Sequence, residues 1–401
     1  MKNNKNLLIG LMIGLVTGVS LSVMGWCIVT VVSPRTEKSS TAISEDGIDW
    51  TVVDEKLEII QRTIDVYYKD EINQNKLVDG IYKGFVEGLG DPYSVYYTKE
   101  EYNELLESSS GIYYGIGAFL QQKDYGVLVM KPIPNSPAEE AGLLAGDVFV
   151  KVDDVDVTAE DVTTIAARVR GPEGTKVTVT IKREGEKEPI VFELERREIE
   201  TPTVSYEMMK DGIGYISILE FDDITLEQFE KALQELQNAG MTALVLDLRD
   251  NPGGNLDTVV KIADDMLPKG LIVYTEDKYG TKKEFSSDGT HSLEIPLAVL
   301  INENSASAAE ILAGAIKDYQ TGTLIGTTTF GKGIVQQVLP LGDGTGIKVT
   351  TSKYFTPNGN DIHGIGIEPD IELEFDDEAY QKDENADNQL DRAIEVLQHS
   401  D

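Results

Sequence analysis

Two short segments, residues 302–319 and 321–336, carry the side chains best suited to chemistry. The first holds Ser305 and Ser307 among alanines, in a pattern that predicts the start of a helix. The second places Lys332 between two glycines, with Gln336 following in a segment that favours a strand. A serine at a helix N-terminus and an uncharged lysine can act as nucleophile and general base without a histidine. These segments therefore indicate a serine hydrolase with a lysine base.

Each of these residues also has a purely structural interpretation. Ser307 and Glu310 fit the S-x-x-E pattern of a helix capping box, which needs no chemistry. Lys332 fits an exposed lysine in a glycine turn, and Gln336 fits a solvated strand residue. Catalysis by the lysine requires its pKa to fall from about 10.4 toward about 7–8, so that the amine can accept a proton. We expect burial beside Phe330 and apolar strand residues to lower it.

Composition and charge exclude several classes of protein. The 35 basic and 70 acidic side chains give a net charge of -35, which argues against a nucleic-acid partner. The single cysteine, Cys27, excludes an intramolecular disulfide and a cysteine metal cluster. The three histidines offer few ligands for a zinc site, and we expect neither a metal nor a cofactor. A histidine triad built on His291 or His363 is the rival chemistry, but both lie in polar loops without a serine motif.

The N-terminus carries the pattern of a membrane anchor. Residues 7–32 contain no charge and follow Lys2 and Lys5. A helix needs about 20 apolar residues to cross a bilayer, whereas the apolar part of a signal peptide is usually about 7–15 residues long. We therefore expect an uncleaved, single-pass anchor in the cell membrane, with the catalytic part outside the cytoplasm. A cleaved signal peptide is the alternative.

Periodicity divides the chain into four regions. Residues 1–36 are expected to form the cytoplasmic tail and anchor, and residues 37–109 a linker and an N-terminal helical region of dimerisation type. Residues 110–200 show short strands and helices, and residues 201–401 alternate strands and helices, which indicates an α/β core with a C-terminal helix. Capping boxes are predicted for two helices, with the pairs Thr98 and Glu101, and Thr225 and Gln228.

Residues 136–147 read S-P-A-x-x-A-G-L-x-x-G-D, which resembles the signature of a PDZ domain. The resemblance implies a groove between a strand at residues 117–121 and a helix at residues 161–170, where a peptide C-terminus adds as a strand. The peptide carboxylate would lie on backbone amides at Gly115, Ile116 and Gly117. Arg168 and Arg170 are candidates for sensing the tail. The alternatives are a tight turn for the glycines and solvated helix-end residues for the arginines.

Further motifs follow in the order found in the C-terminal processing peptidases, also called tail-specific proteases. They are L-G-D-P-Y-S at residues 89–94, D-L-R-x-N-P-G-G at 247–254, S-A-S-A-x-E at 305–310 and F-G-K-G at 330–333. The chain resembles this family over nearly its whole length after the anchor. The resemblance implies a multidomain α+β protein: a crotonase-like α/β protease core with an inserted PDZ domain, an N-terminal helical region and an N-terminal transmembrane helix.

The same resemblance implies the roles of the site residues. Ser307, the second serine of S-A-S-A, would be the nucleophile, Lys332 the general base, and Gln336 the residue that holds the amine. Backbone N–H groups would form the oxyanion hole, and the candidates are Gly253 or Gly254 and Ala308.

The implied function is a serine endopeptidase that binds protein C-terminal tails and cleaves peptide bonds. We expect substrates with apolar C-termini and a homodimer or higher oligomer. A catalytically silent PDZ scaffold that only binds tails is the alternative from another class. Acyl-CoA chemistry on a crotonase-like core is a third, but the sequence shows no basic nucleotide pocket.

Overall fold

The computed structural model of the chain describes residues 43–44, 47–383 and 386–399. The expected anchor at residues 7–32, with Cys27, lies outside them. Within the described ranges, no helix combines the length and the apolar character needed to cross a membrane.

The chain divides after Leu77 into two compact units. In the first, β1 (Ile43–Ser44) and β2 (Gly47–Ile48) form an antiparallel pair. Helix α1 (Trp50–Tyr67) follows. The Asp49 side chain caps it by accepting hydrogen bonds from Thr51 N–H and Val52 N–H. No residue of α1 is buried, although several of its side chains are large and apolar.

Helix α2 (Gln74–Glu87), strand β3 (Val95–Tyr97) and helix α3 (Lys99–Ser110) come next. The predicted capping box of α3 is confirmed. Glu101 N–H donates to Thr98 Oγ1 at 3.3 Å, and Thr98 N–H donates to Glu101 Oε2 at 2.9 Å.

The region with the PDZ-like signature is an antiparallel sheet with two short helices. Strand β4 (Ile112–Gly115) pairs with β11 (Arg197–Glu200) where the chain enters and leaves it. The sheet order is β10-β9-β7-β6-β5, with β8 paired to β7. The elements are β5 (Ala118–Lys123), β6 (Gly126–Pro132), α4 (Pro137–Ala141), β7 (Val148–Val152), β8 (Val155–Asp156), α5 (Val162–Val169), β9 (Lys176–Lys182) and β10 (Ile190–Glu195).

The signature itself has a structural explanation. Ser136 caps α4 by accepting from Glu139 N–H, and Pro137 occupies the first turn, where no N–H is needed. Gly142 ends the helix in the left-handed conformation, with φ 86°. Asp147 is buried and forms two hydrogen bonds of 2.7 Å with the guanidinium of Arg183. The motif thus fixes the helix and the loop after it.

The remaining chain is built on a mostly parallel sheet in the order β12-β13-β14-β17-β18-β21, in which only β12 is antiparallel to its neighbour. The strands are β12 (Val204–Met208), β13 (Ile213–Ile218), β14 (Ala243–Asp247), β17 (Leu297–Ile301), β18 (Thr323–Gly326) and β21 (Ile371–Glu372). A second sheet has the order β16-β15-β20-β19, with β3 paired to β20. Its strands are β15 (Gly270–Asp277), β16 (Lys282–Ser287), β19 (Ile334–Pro340) and β20 (Gly346–Phe355).

Helices cover both faces of the parallel sheet, which explains the continuous apolar run of β14. Leu244 and Leu246 pack in the large core with α6 (Thr225–Asn238), α7 (Leu256–Asp264) and α8 (Ala308–Tyr319). Val245 faces the other way and packs with the C-terminal helix α10 (Asn388–Gln398). A short helix α9 (Asp377–Lys382) precedes α10. Strands β14, β17 and β18 are parallel, so the loops after their carboxyl ends meet at one edge.

The predicted capping box at the start of α6 is wrong. The N-cap residue is Ile224, and no side chain caps this end. The Thr225 hydroxyl instead accepts from Asp222 N–H at 2.9 Å and donates to Glu220 O at 3.0 Å. The Gln228 side chain accepts from Thr203 N–H at 2.9 Å. Both polar side chains are used by neighbouring loops rather than by the helix end.

Candidate active site

Ser307 lies at a sharp turn between β17 and α8, as the N-cap residue of the helix. Its backbone has φ 55° and ψ -113°, a region that is costly for a residue with a Cβ and that needs support from its surroundings. Buried Ser305 supplies part of that support, since its hydroxyl donates to Leu248 O at 2.7 Å and accepts from Asn302 N–H at 3.0 Å. A strained turn from a strand into a helix is also the position from which hydrolases expose a nucleophile.

Glu310 is fully buried, with 0% of its surface exposed, and it accepts four hydrogen bonds. Oε2 accepts from the N–H groups of Ser307 and Lys332, both at 2.8 Å. Oε1 accepts from Gly331 N–H and from Thr329 Oγ1, both at 2.7 Å. Three of these donors are backbone N–H groups, which cannot accept, so the ionised carboxylate matches the site. The Glu310 carboxylate does cap Ser307 N–H, which is one half of the capping box, but it also binds the loop that carries Lys332.

Tyr354 joins the same two residues from their carbonyl sides. Its hydroxyl lies 2.9 Å from Ser307 O and 2.6 Å from Lys332 O and donates to this pair. Burial raises the pKa of Tyr354 well above its usual value, so the phenol keeps the proton that it donates. The peptide groups of Ser307 and Lys332 are therefore held on two sides by buried side chains.

Lys332 is half-buried, and this burial lowers the pKa of its amine. The positive charge of Lys348 lowers it further, whereas the Glu310 carboxylate opposes the shift. The direction is the one that a general base requires. Phe330 is 57% exposed and does not line the cleft that contains Lys332.

No hydrogen bond joins Lys332 Nζ to Ser307 Oγ or to Gln336 among the described residues. The amine instead lies 5.0 Å from the centre of the Tyr93 ring. Gln336 donates from Nε2 to Thr350 Oγ1 at 3.4 Å. Hydrogen bonds between catalytic groups are often long before substrate binds, so this arrangement is compatible with a resting site.

The glycine loop after β14 lies directly against the Ser307 turn. A Cβ on Gly253 would stand 2.7 Å from Ser307 Cβ and 2.9 Å from Ala308 N, and its φ is 105°. Gly253 N–H donates to Asn251 Oδ1 at 2.8 Å. In the part of the chain that the structure describes, the N–H groups of Gly254 and Ala308 have no acceptor. Of the candidate oxyanion donors, these two are therefore available and Gly253 is occupied.

Arg249 braces the start of this loop. It forms bidentate ion pairs with Asp247 and with Asp387, at closest distances of 2.6 and 2.7 Å. Asp387 is the N-cap of α10, so the interaction also fixes the C-terminal helix.

One cleft of about 620 Å³ brings the predicted catalytic residues together. Its lining includes all of the following: Ser307, Ala308, Gly253, Gly254, Lys332 and Gln336. Neither His291 nor His363 belongs to it, and His291 instead lies 3.4 Å from Asp265.

Comparison with known proteins places this arrangement in a family. The model of peptidase family S41 matches residues 212–373, the PDZ domain model matches residues 128–183, and the model of the activating protease CtpB N-terminal domain matches residues 23–101. Carboxy-terminal processing protease CtpB of Bacillus subtilis (strain 168) is 37% identical over 327 residues, which cover 80% of this chain and 68% of that protein. The chain belongs to peptidase family S41.

Other relatives agree with this membership. Carboxy-terminal processing protease CtpA of Bacillus subtilis is 37% identical over 313 residues, which cover 78% of this chain and 67% of that protein. A CtpA-like serine protease of Staphylococcus haemolyticus is 38% identical, over 79% of this chain and 64% of that protein. The crystal structure of an S41 protease from Bacteroides fragilis shares the fold, with a TM-score of 0.50 and 17% identity over 79% of this chain and 90% of that one. The interpretation as a carboxy-terminal processing serine protease with a PDZ domain is confirmed.

The PDZ domain of this S41 protease contains a second cavity, of about 380 Å³, between β5 and α5. Ile116 and Gly117 line it, whereas Gly115 pairs with Arg197 between β4 and β11. Apolar side chains form much of the wall, and they are Phe119, Leu120, Val162, Ala166 and Val169.

The two candidate arginines have different surroundings. Arg170 lines this cavity, 4.9 Å above the Tyr113 ring and 3.7 Å from Glu107. Arg168 does not line it and makes two hydrogen bonds of 2.7 Å with Glu160.

Acidic side chains stand where the groove meets the protease cleft. Glu220 and Asp222 line both cavities. Burial raises the pKa of both carboxyl groups, and that of Asp222 reaches about 7. These carboxylates would repel an acidic peptide above neutral pH.

Glu310, Tyr354 and Tyr93 are site residues that the sequence alone did not reveal. The S-x-x-E spacing marked Glu310, but only as a helix cap. Tyr354 lies on β20 and Tyr93 in the turn before β3, far along the chain from Ser307, and the signal for Tyr93 was its place in the L-G-D-P-Y-S motif.

Replacing Glu310 by glutamine tests the buried cross-link. In Glu310→Gln the amide NH₂ would face at least one donor, so a buried N–H loses its acceptor, and we expect the free energy of unfolding to fall by about 1–3 kcal/mol. Urea denaturation followed by circular dichroism measures this. The matched control is Glu230→Gln, at an exposed position of α6, which should change stability by less than about 0.5 kcal/mol. Equal stability of the two variants would contradict the cross-link.

Proposed function

We propose that this serine endopeptidase binds the C-terminal tail of a protein in its PDZ groove and cleaves with Ser307 as nucleophile and Lys332 as general base. The observation that carries the proposal is the double bridge from Glu310 and Tyr354 to the backbones of Ser307 and Lys332. It holds the two residues at the edge of one cleft, where burial lowers the pKa of the lysine.

In the proposed reaction the neutral Lys332 amine accepts the proton of Ser307 Oγ as the oxygen attacks the substrate carbonyl carbon. The oxyanion that forms accepts hydrogen bonds from Gly254 and Ala308 N–H. The Lys332 ammonium then gives its proton to the leaving amine, which departs and leaves an acyl-enzyme. Lys332 next takes a proton from a water molecule, which attacks the ester carbonyl carbon. The Lys332 ammonium returns that proton to Ser307 Oγ as the ester C–O bond breaks and the carboxylic acid product leaves. The proposed role of Gln336 is to orient the amine through its side-chain oxygen.

The approach of Lys332 to Ser307 is part of the proposal. A substrate backbone in the cleft would displace water around the amine and favour its neutral form. We propose that this turns Nζ into hydrogen-bond distance of Oγ while the amine stays against the Tyr93 ring.

The groove supports the choice of substrate. Its wall between β5 and α5 is apolar, and a tail that added to β5 would place an apolar terminal side chain against Val162 and Ala166. Proposed carboxylate donors are the N–H groups near Ile116 and Gly117, with Arg170 beside them. Carboxylates at the mouth of the groove favour tails without acidic residues.

Domain limits and location complete the proposal. We infer a membrane anchor at residues 1–36, a dimerisation region at 37–109, a PDZ domain at 110–200 and a crotonase-like core at 201–401, with the protease outside the cytoplasm. The apolar face of α1 supports dimerisation with a second copy, because Ile59, Ile60, Val66 and Tyr67 are exposed on a helix without any buried residue.

Substitution of the dyad tests the chemistry. Ser307→Ala and Lys332→Ala should each lower cleavage of an unfolded reporter with an apolar tail at least about a thousandfold, because either change stops proton transfer to or from the nucleophile. For the parent, kcat/KM should fall as the pH drops through the lowered pKa of Lys332, since only the neutral amine accepts a proton. A pH series with a fluorescent reporter measures both.

The controls separate the rival chemistries. Histidine replacement at His291 or His363 should leave the acidic limb of the pH profile in place, and its loss would favour a histidine base. Lys348→Ala removes a positive charge that lowers the pKa of Lys332, so the limb should move to higher pH. Tail binding without any cleavage by the parent would support the silent PDZ scaffold instead.

A charge in the groove tests tail recognition. Ala166→Asp should weaken binding of a labelled peptide with an apolar C-terminus at least about tenfold, because it adds a carboxylate to an apolar wall. Fluorescence anisotropy measures the Kd, and Ala145→Asp, at an exposed position outside the groove, is the matched control. Unchanged affinity in Ala166→Asp would exclude this groove.

The rate of cleavage by Ala166→Asp shows how the PDZ domain regulates the protease. Lost activity means that the PDZ domain activates, and unrestrained activity means that it inhibits.

Changes at the N-terminus test location and assembly. Deletion of residues 1–36 should move the protein from the membrane to the soluble fraction. In that shortened chain, Ile59→Asp with Ile60→Asp should convert a dimer to a monomer in sedimentation velocity, because it charges the apolar face of α1. Glu58→Gln is the control on the same helix. A shortened chain that is monomeric without substitution would contradict the proposed dimer.

A further inference from the structure

The turn at residues 89–94 belongs to no step of the proposed reaction, yet it meets the proposed base. We infer that Tyr93 is a positioning residue for Lys332, and that its ring confines the amine and stabilises the ammonium formed during the reaction. This inference rests on the proposed Ser-Lys dyad.

The turn is held rigidly by its own side chains. Asp91 accepts hydrogen bonds from Tyr93 N–H at 3.0 Å and from Ser94 Oγ at 2.6 Å. Ser94 is buried, and its hydroxyl also accepts from Thr350 N–H of β20 at 3.1 Å. The position of the Tyr93 ring is therefore tied to the sheet that carries the catalytic cleft.

The same attachment leads to the proposed partner of the base. Thr350 Oγ1 accepts from Gln336 Nε2 at 3.4 Å, so the turn contacts Lys332 through Tyr93 and reaches Gln336 through Ser94 and Thr350. One short segment, distant in sequence from the dyad, is thus connected both to the proposed base and to the residue proposed to orient it.

The groups around the Lys332 amine explain why the Tyr93 ring matters. The charged groups that act on Lys332 are Lys348 of β20, which repels it, and Glu310 of α8, which attracts it. The Tyr354 hydroxyl contacts the carbonyl of Lys332 rather than its amine. Over the described ranges, Nζ has no hydrogen-bond acceptor, and the Tyr93 ring, 5.0 Å away, is its aromatic contact. An aromatic face attracts a half-buried ammonium more than a neutral amine.

The contact between the Tyr93 ring and Lys332 matters most when the amine becomes positively charged. When Lys332 takes the proton from Ser307 it becomes an ammonium in a cleft that already contains the positive charge of Lys348. The ring partly offsets that repulsion and keeps Nζ at one place beside the nucleophile. Loss of the ring should therefore slow the chemical step without changing substrate affinity.

A pair of substitutions at Tyr93 tests the inference. Tyr93→Leu keeps an apolar side chain but removes the aromatic face. We expect kcat to fall about tenfold with KM unchanged, and the acidic limb of the pH profile to move to lower pH by about half to one unit. Tyr93→Phe keeps the face and should remain within about twofold of the parent. Tyr279→Leu is the matched control, because Tyr279 lies 5.1 Å from Lys278 at an exposed site outside the cleft.

A ring series guards against a variant that fails to fold. Placing phenylalanine and then pentafluorophenylalanine at position 93 weakens the attraction for a cation with little change in shape, so the limb should move to lower pH along the series. An unmoved limb, or equal damage from Phe and Leu, would overturn the inference. Parent and Ser307→Ala are measured beside these variants. If Ser307→Ala still cleaves, the proposed dyad fails; if it does not, and Tyr93→Leu behaves as the parent, only the role of Tyr93 fails.

Discussion

A buried carboxylate with four donors is the interaction on which the protease site depends. Glu310 binds the backbone of Ser307 and of Lys332, which come from different loops at the edge of the parallel sheet. Ser307 has a costly backbone conformation, and Lys332 lies between glycines that would otherwise let the loop move. Because the carboxylate holds main-chain atoms, the separation of the two residues does not depend on long, flexible side chains.

The same requirement explains the polar side chains buried around the cleft. Tyr354 holds the carbonyl side of both residues, Ser305 holds the turn, and Asn251 orders the glycine loop through Gly253 N–H. These side chains form hydrogen bonds with backbone groups that would otherwise be buried without a partner, which is costly in a site from which water is excluded. The lysine amine is the exception, since its surroundings favour the neutral form. The site is thus rigid in its backbone, and only the side chain of its proton acceptor has to turn to reach the nucleophile.

Much of this could be predicted from the sequence, because local patterns determine it. A strand followed by S-A-S-A-x-E indicated where Ser307 would lie, and the family resemblance implied Gly253 or Gly254 and Ala308 as oxyanion donors. What could not be predicted depends on contacts between distant segments. Nothing local shows that Tyr354 of β20 reaches the cleft, or that Thr225 is used by the loop before its helix. Glu310 was visible as a cap, but its second partner lies in another loop.

The PDZ groove and the protease cleft share part of their lining, namely Ser108, Glu220 and Asp222. Phe221, between the two acids, forms backbone hydrogen bonds with Gly253 and Asn255 at 2.9 and 2.6 Å. A polypeptide anchored by its last residue in the groove therefore has only a short path to the glycine loop. If a tail binds there as proposed, the spacing between the groove and the glycine loop would set how far from the terminus the cut falls.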